Sequence, residues 1–237
     1  LFENKNFRSV CLWRALTPKE ADQIREQGIS TEIVVAPNGI RLDPFDKVAA
    51  SKTPKKRKRI LFLGRLHPKK GIDLLLQAWA KLAPRFSDWE IIVAGPNENS
   101  YLATLRGIVR ELDLGKSVSF PGPVTGVEKV QLFKSADLFV LTSRSEGFSV
   151  AVLEAMACRV PVLITTPCNF DELSIDGGGF SCEPDAKSIE RKLESALQCS
   201  DEERIERGEA GRKLVETQYT WSAISKTILD ACEHHCR

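Results

Sequence analysis

Short apolar runs alternate with amphipathic segments from residue 59 to residue 165. The apolar runs predict strands over residues 59 to 64, 89 to 95, 117 to 122, 137 to 143 and 160 to 165, with a sixth near residues 180 to 184. The segments between them predict helices over residues 71 to 83, 100 to 112 and 126 to 135. This alternation predicts a Rossmann-like parallel sheet of about six strands, with helices on both faces.

The first 58 residues follow a different pattern. They predict a strand over residues 9 to 16, a helix over 18 to 27 that begins after Thr17, and a β-branched strand over 31 to 37. Residues 40 to 58 show no sustained period, so they are interpreted as a linker.

The charge balance is close to even. The chain has 34 basic and 32 acidic residues and a formal charge of +2, so we expect no nucleic-acid partner. The basic run over residues 52 to 59 is the exception, because it would also suit a nucleic-acid or nuclear-import patch. It lacks interleaved aromatic residues and directly precedes a strand, which favours a solvated linker.

Seven cysteines at unrelated spacings predict a reduced set and a cytoplasmic location. No signal peptide or membrane-spanning run is visible, and the chain begins at Leu1, so we expect a truncated or processed piece. The closing segment CEHHCR has metal-binding residue types. They are crowded into five positions, whereas structural zinc sites draw ligands from separate segments, which favours an exposed helix end without metal.

Basic and glycine residues follow three of the predicted strands. Gly64 and Arg65 end the first, and Lys70 lies in the same turn, where an arginine and a lysine would suit two neighbouring phosphates or merely cap a solvated loop. Gly95 opens a turn with room for a ring or a sugar. The backbone over residues 120 to 124 would suit a nucleobase edge, although such runs are more often rigid turns.

Two glutamates flank the start of the helix predicted between the strands at 137 to 143 and 160 to 165. Glu146 lies in the turn, and Glu154 lies two helical turns further on. Gly147 permits close approach of a ligand to the backbone. The first amide groups of this helix belong to Phe148, Ser149 and Val150. Surface helices often carry such glutamate pairs, but the residues between these two are nearly all apolar or small, so the carboxylates need partners such as sugar hydroxyls.

These motifs resemble, in order, the C-terminal, donor-binding domain of the group 1 glycosyltransferases (family 4), which are retaining enzymes of the GT-B fold. The resemblance covers about residues 10 to 225. The matching segments are PNG (37 to 39), FLGRL..KKG (62 to 71), VAG (93 to 95), F.G (120 to 122), ADLFVLTSRSEGFSVAVLEAMA (136 to 157) and P.L.T (161 to 165).

The resemblance implies a role for each matching position. Arg65 and Lys70 would neutralise the diphosphate leaving group, Glu146 would contact the donor sugar, and Glu154 would bind the ribose hydroxyls. The catalytic set would be Arg65, Lys70 and Glu146, with no metal and no cofactor. The donor-binding set would be Gly64, Gly95, Pro121, Val124, Gly147, Phe148, Ser149, Val150 and Glu154.

The resemblance also implies a division of the chain. Residues 1–39 would be a remnant of the N-terminal acceptor domain, 40–58 a linker and 59–237 the nucleotide-sugar domain. The rest of the acceptor domain, with the site for a sugar or lipid-linked acceptor, would need roughly 150 more residues. Membrane contact of the full-length protein is compatible with such an acceptor.

The function implied is transfer of a hexose from a nucleoside-diphosphate sugar with retention of anomeric configuration, in carbohydrate or lipopolysaccharide biosynthesis. The isolated chain is expected to be inactive, because half of the cleft is missing. Two alternatives stay open from the sequence: a nucleotide-sugar epimerase of the same fold, and a non-catalytic nucleotide-binding or interaction module.

Overall fold

A computed structural model describes residues 10–49, 56–170, 172–175 and 177–235 of the chain. Its strands are β1 (Leu12–Ala15), β2 (Glu32–Val35), β3 (Lys58–Leu63), β4 (Trp89–Ala94), β5 (Val118–Gly122), β6 (Leu138–Leu141), β7 (Val162–Thr165) and β8 (Gly179–Cys182). Its α-helices are α1 (Pro18–Glu26), α2 (Asp43–Lys47), α3 (Ile72–Leu82), α4 (Tyr101–Glu111), α5 (Gly126–Lys134), α6 (Val150–Ala157), α7 (Glu172–Ile175), α8 (Ala186–Gln198), α9 (Asp201–Gln218) and α10 (Trp221–His235). Two single-turn 3₁₀ helices cover Pro68–Lys70 and Thr166–Cys168.

Six parallel strands form the main sheet, in the order β5-β4-β3-β6-β7-β8. This confirms the predicted parallel α/β sheet. The chain moves outward from β3 through β4 to β5, and then returns to place β6 on the other side of β3, where Leu61 pairs with Phe139. The strand order therefore reverses between β3 and β6, and the crevice at such a point is where open α/β sheets bind ligands.

Helices pack in two groups around this sheet. One group contains α3, α4 and α8, and the other contains α2, α5, α6 and α9. On α3 the predicted apolar stripe is confirmed, since its members are buried: Ile72, Leu75, Leu76, Trp79 and Leu82. The largest fully buried side chains also include Phe62 of β3 and Phe139 of β6, which places the core around the two strands that flank the reversal.

A small unit precedes the main sheet. In it β1 and β2 pair in parallel, and α1 begins after Thr17, whose side chain accepts a hydrogen bond from the Glu20 amide as the sequence predicts. Its own core consists of Ala15, Ala21 and Ile33. The last helix, α10, contacts both β1 and β2, so the end of the chain packs against its beginning.

The segment interpreted as a linker contains structure. The short helix α2 lies within it, and Phe45 of that helix is buried in the main core. Asp46 forms an ion pair with Arg212 of α9 at 3.0 Å. A helix of five residues is too short to produce a visible period, which is why the sequence pattern did not predict it. Residues 50 to 55 of the basic region lie outside the described residues.

Two segments connect the small unit to the main sheet, and they run side by side. The Ile40 amide donates to the Tyr219 carbonyl at 2.8 Å, and the Trp221 amide donates to the Ile40 carbonyl at 3.3 Å. Ile40 and Thr220 form an isolated parallel bridge. The connection from β2 and the connection from α9 to α10 are therefore hydrogen-bonded to each other.

The cysteines are not all reduced. Cys11 is disulfide-bonded, so the expectation of a fully reduced set is wrong at this position. Five described cysteines carry free thiols: Cys158, Cys168, Cys182, Cys199 and Cys232.

Within the described part of the chain, every helix is too short or too polar to cross a membrane.

Candidate functional site

A cavity of about 390 Å³ opens at the carboxyl ends of β3 and β6, where the strand order reverses. Four of the residues that the sequence singled out line its wall: Arg65, Lys70, Glu146 and Gly147. The other lining residues are His67, Lys69, Glu98 and Ser145. Arginine and two lysines face two carboxylates here, so the cavity carries a slight excess of positive charge.

The turn after β3 supplies the cations. His67 caps the 3₁₀ helix Pro68–Lys70, because its Nδ1 accepts a hydrogen bond from the Lys69 amide at 3.1 Å. Arg65 is 65% exposed at its side chain and pairs with Glu98 at 3.0 Å. Glu98 follows β4, the strand that pairs with β3. Its ion pair with Arg65 therefore joins the ends of two neighbouring strands and keeps the guanidinium in the crevice.

The turns after β3 and β6 touch at Gly71. Its φ of 62° lies in the left-handed region, and a Cβ there would overlap the carbonyl oxygen of Thr142. The Thr142 hydroxyl donates to the Gly71 carbonyl at 2.8 Å. Glycine is thus required at this position because the backbone that follows Lys70 lies directly against the end of β6.

Glu146 is held from three sides. Its Oε2 accepts hydrogen bonds from Lys70 Nζ at 2.5 Å and from the Ser143 hydroxyl at 3.1 Å. The Asn169 side chain donates to its backbone carbonyl at 2.9 Å. The side chains of Lys70 and Glu146 are only 16% and 12% exposed. A buried pair of opposite charges with one open side is suited to a ligand that carries both anionic and hydroxyl groups.

The helix α6 begins directly after Glu146 and Gly147. Ser149 is its N-cap, and its side chain makes no capping hydrogen bond. An added Cβ at Gly147 would meet nothing within 4 Å, so the backbone there borders open space. The Phe148 ring lies 4.7 Å from the Phe170 ring, and it therefore anchors the turn. Val150 is the first residue of the helix and is partly exposed.

Glu154 pairs with a lysine of the neighbouring helix, and its contact with a ribose stays a prediction. It lies on α6 and accepts a hydrogen bond from Lys129 Nζ of α5 at 2.6 Å. Its side chain is 13% exposed, and it does not line the 390 Å³ cavity. The structure therefore brings Glu154 close to the site without placing it on this wall.

The remaining predicted positions lie at strand ends. Gly64 donates its amide to Ala94 at 3.0 Å, and Gly95 donates its amide to Gly122 at 2.9 Å. Pro121 lies in β5 and Val124 lies just beyond it. None of these predicted residues lines the cavity with Glu146, so their contact with a ligand stays a prediction.

Cys168 lies beneath the Glu146 turn, and its Sγ is 3.6 Å from the Leu141 carbonyl. Burial raises the pKa of the Cys168 thiol to about 11, and the Glu146 charge adds to the effect. The thiol therefore stays protonated at neutral pH and is a poor nucleophile. Its role here is packing.

Several site residues were not found from the sequence. His67, Glu98 and Ser145 line the cavity, and Lys129 pairs with Glu154. A solvated turn gives no periodic signal that distinguishes these side chains. Lys129 lies 25 residues before Glu154, and no local spacing rule joins residues so far apart.

Two further cavities lie on the molecule, one of them beside the first. One of about 290 Å³ shares Glu146 and Gly147 with the first and has Lys19 and Gln23 of α1 on its other wall. A larger one, about 550 Å³, lies at the opposite edge of the sheet. Lys58 pairs with Asp201 there. Ligands of open parallel sheets bind at the carboxyl edge, so this cavity lies on the other side from the expected site.

Within the described residues, no group of three or more His, Cys, Asp or Glu side chains is arranged to hold a metal ion. The helix α10 continues to residue 235, so most of the CEHHCR segment lies at a helix end. Residue 236 lies outside the described residues.

Comparison with protein families matches residues 45–214 to the family described as "Glycosyl transferases group 1". The chain is 28% identical over 213 residues to phosphatidyl-myo-inositol mannosyltransferase of Mycolicibacterium smegmatis, covering 87% of this chain and 53% of that protein. It is 33% identical over 174 residues to mannosylfructose-phosphate synthase of Agrobacterium fabrum, covering 67% of this chain and 38% of that protein. The chain thus spans about half the length, or less, of the curated relatives it matches.

Among solved structures, sucrose-phosphate synthase from Thermosynechococcus elongatus is similar with a TM-score of 0.83 and 20% identity, covering 98% of this chain and 60% of that one. The Anabaena protein HepE in complex with UDP is similar with a TM-score of 0.84 and 20% identity, covering 98% and 66%. At this identity the likenesses show the fold alone.

Proposed function

This chain belongs to the group 1 glycosyl transferases, and from that premise we propose that it forms the donor-binding half of a retaining hexosyltransferase. The family resemblance that the sequence motifs carry is thereby confirmed, as is the glycosyltransferase fold. The observation that carries the proposal is the buried contact between Lys70 and Glu146 on a cavity at the reversal of the strand order.

The relatives support a nucleotide-sugar donor. Two of the matched proteins are named as a mannosyltransferase and a mannosylfructose-phosphate synthase. Solved structures of similar fold contain UDP, UDP with glucose, or UDP-glucose. Because the named relatives transfer or join sugars, neither an epimerase nor a non-catalytic module is favoured.

The proposed reaction breaks the bond between the anomeric carbon of the sugar and the diphosphate oxygen. The diphosphate leaves with the bonding electrons, and the acceptor hydroxyl forms the new bond on the same face while its proton passes to the departing diphosphate oxygen. Arg65 and Lys70 stabilise the charge that develops on the departing diphosphate. Glu146 binds the sugar hydroxyls and Glu154 the ribose. The cations of the cavity supply the charge that a metal would otherwise supply, so we propose a metal-independent reaction.

The acceptor side of the site is proposed to lie mostly outside this chain. The shorter length relative to its relatives fits a chain that lacks most of an acceptor domain. We therefore propose that a sugar or lipid-linked acceptor binds in the full-length protein, and that the chain alone does not catalyse transfer. The cytoplasmic location, membrane contact and the boundaries at residues 39 and 58 stay predictions.

The test is isothermal titration of the purified chain with UDP, UDP-glucose and GDP-mannose. We expect saturable binding of at least one of these ligands. Arg65→Ala and Glu154→Ala are expected to weaken it by about tenfold each, because each removes a charged hydrogen-bond partner of the ligand.

Arg85→Ala is the matched control. It removes an exposed ion pair with Glu194 at 2.5 Å, between the turn after α3 and α8 and away from the cavity, and is expected to leave affinity unchanged. Absence of binding by the folded wild-type chain would contradict the proposed function. Equal affinity in the wild type and in both site variants would contradict the assignment of these residues.

A further inference from the structure

One side chain joins the two turns that form the cavity. Arg144 lies in the turn after β6, and its backbone amide donates to the Lys69 carbonyl at 2.8 Å. Its Nη1 donates to the Pro68 carbonyl at 2.8 Å. The same guanidinium donates to both carboxylate oxygens of Asp73, at 2.8 Å and 2.6 Å. Arg144 thus makes four hydrogen bonds to the turn after β3 and to the helix that follows it.

Asp73, which accepts both hydrogen bonds from the Arg144 guanidinium, is itself held in place. Asp73 lies in the first turn of α3, and its Oδ1 also accepts a hydrogen bond from the Tyr101 hydroxyl of α4 at 3.3 Å. Burial alone would raise the pKa of Asp73, but the hydrogen bonds and charge of Arg144 lower it below its ordinary value. The carboxylate is therefore ionised at neutral pH, and a bidentate fork fixes orientation as well as distance.

The contacts between Arg144 and the turn after β3 lie close in sequence to both Lys70 and Glu146. Arg144 precedes Glu146 by two residues, and Pro68 precedes Lys70 by two residues. The fork therefore connects the backbone on both sides of the contact between Lys70 and Glu146. Groups that recognise a ligand must keep their geometry within about 0.5 Å, which long side chains on solvated turns do not achieve unaided.

We infer that Arg144 and Asp73 are positioning residues that hold Glu146 against Lys70 and thereby let the site distinguish a nucleotide sugar from the free nucleotide. The inference rests on the proposed function, in which Glu146 contacts the sugar. Neither residue needs to touch the ligand. Without the fork the Glu146 turn keeps its fold through Thr142 and Asn169 but loses its fixed distance from Lys70.

If Arg144 and Asp73 only stabilised the fold, their loss would not selectively weaken sugar recognition. Partly exposed ion pairs contribute little to the free energy of unfolding. The side chains of Arg144 and Asp73 are 40% and 20% exposed, so loss of the pair leaves the main core intact. A positioning role instead predicts a selective loss of sugar recognition at nearly unchanged stability.

The experiment compares Asp73→Asn and Arg144→Gln with the wild-type chain. Titration with UDP and UDP-glucose, and with GDP and GDP-mannose, gives for each variant the ratio of sugar-nucleotide affinity to nucleotide affinity. We expect this ratio to fall by about tenfold in both variants, the effect of one charged hydrogen bond, while nucleotide affinity changes by less than about threefold. Hydrogen exchange of the amides at residues 143 to 147 is expected to accelerate in both variants.

The matched control is Arg85→Gln, which removes an ion pair of similar exposure in the turn that follows α3. It should change neither the ratio nor the exchange rates. An unchanged ratio in folded Asp73→Asn, or an equal loss of sugar-nucleotide and nucleotide affinity, overturns the positioning role while the proposed function stands. A wild-type chain that binds none of these ligands refutes the proposed function, and the inference with it.

Discussion

Lys70 and Glu146 are hydrogen-bonded to each other, so a ligand that binds either side chain must replace that partner. A phosphate that took Lys70 alone would leave a nearly buried carboxylate without its cation, which costs free energy. A ligand that brings hydroxyl groups beside its phosphates replaces both partners at once. Under the proposed function we therefore expect the pair to favour a sugar attached to the diphosphate over inorganic phosphate.

The pKa of Tyr101 depends on the Asp73 carboxylate. Burial, together with the charge and the hydrogen bond of Asp73, raises the pKa of Tyr101 to about 12. We expect Asp73→Asn to lower this pKa, although not to the ordinary value, because burial remains. The absorbance of tyrosinate near 295 nm, titrated against pH, measures it. The chain has two tyrosines, so Tyr101→Phe identifies the transition.

The sign of the linked stability effect follows from proton binding. Between pH values of about 10 and 12 the folded state keeps the Tyr101 proton and the unfolded chain loses it. The free energy of unfolding therefore declines as pH rises through this window. A Tyr101 transition at the ordinary pKa in the wild type would contradict the hydrogen bond to Asp73.

At the scale of elements, α9 packs closely against α6 and the residues that follow it. Gly208 of α9 lies so near the Arg159 carbonyl oxygen that an added Cβ would overlap it. The nearest atoms are all backbone atoms of Arg159, so they cannot move aside as a flexible side chain would. We expect Gly208→Ala to lower the free energy of unfolding by about 1–3 kcal/mol, as overpacked cores do. Urea unfolding followed by circular dichroism measures the change.

Gly107 supplies the matched control on another helix. It lies within α4, and an added Cβ would meet nothing within 4 Å. Gly107→Ala is expected to raise the free energy of unfolding by about 0.5–1 kcal/mol, because alanine favours the helix. If Gly208→Ala were equally stabilising, the close packing of α9 on α6 would be wrong.

Strands and helices of the main sheet were predicted closely, and the reason is burial. A strand covered on both faces is a continuous apolar run, and the observed Trp89–Ala94 agrees with the predicted 89 to 95. The apolar stripe of α3 likewise located Ile72–Leu82 within a residue of the predicted bounds. Local pattern suffices where local pattern and tertiary packing agree.

Prediction failed where the decisive contact lies far along the chain. Glu146 meets Lys70 across 76 residues and Arg144 meets Asp73 across 71. The sequence identified Lys70 and Glu146 by their positions at strand ends, but not the residues that hold them. Side-chain partners depend on the sheet order, and the sequence pattern did not specify that β6 would lie beside β3.

For the whole molecule, α10 is expected to stabilise the beginning of the chain. Among the described residues, the core cluster of the β1–β2 unit consists of three buried apolar residues, and α10 contacts both strands. Deletion of residues 221 to 237 should therefore accelerate amide exchange in β1 and β2 by about tenfold or more, because small units open locally at low cost. Hydrogen exchange with mass spectrometry resolves these segments.

Exchange in β3 and β6 serves as the internal reference for this deletion. These strands lie in the centre of the main sheet, and α10 contributes little to their packing. Their exchange should change far less than that of β1 and β2. Equal acceleration in both sheets would show that α10 supports the whole fold rather than its first unit.

The paired connections at Ile40 and Thr220 have a mechanical consequence. A single tether would let the β1–β2 unit rotate freely, whereas two hydrogen-bonded segments side by side resist twisting and leave bending about their common line as the soft motion. Because Lys19 and Gln23 of α1 face Glu146 across the 290 Å³ cavity, bending about this hinge changes the width of that cavity. It leaves the geometry of the main sheet, and of the cations beside it, unchanged.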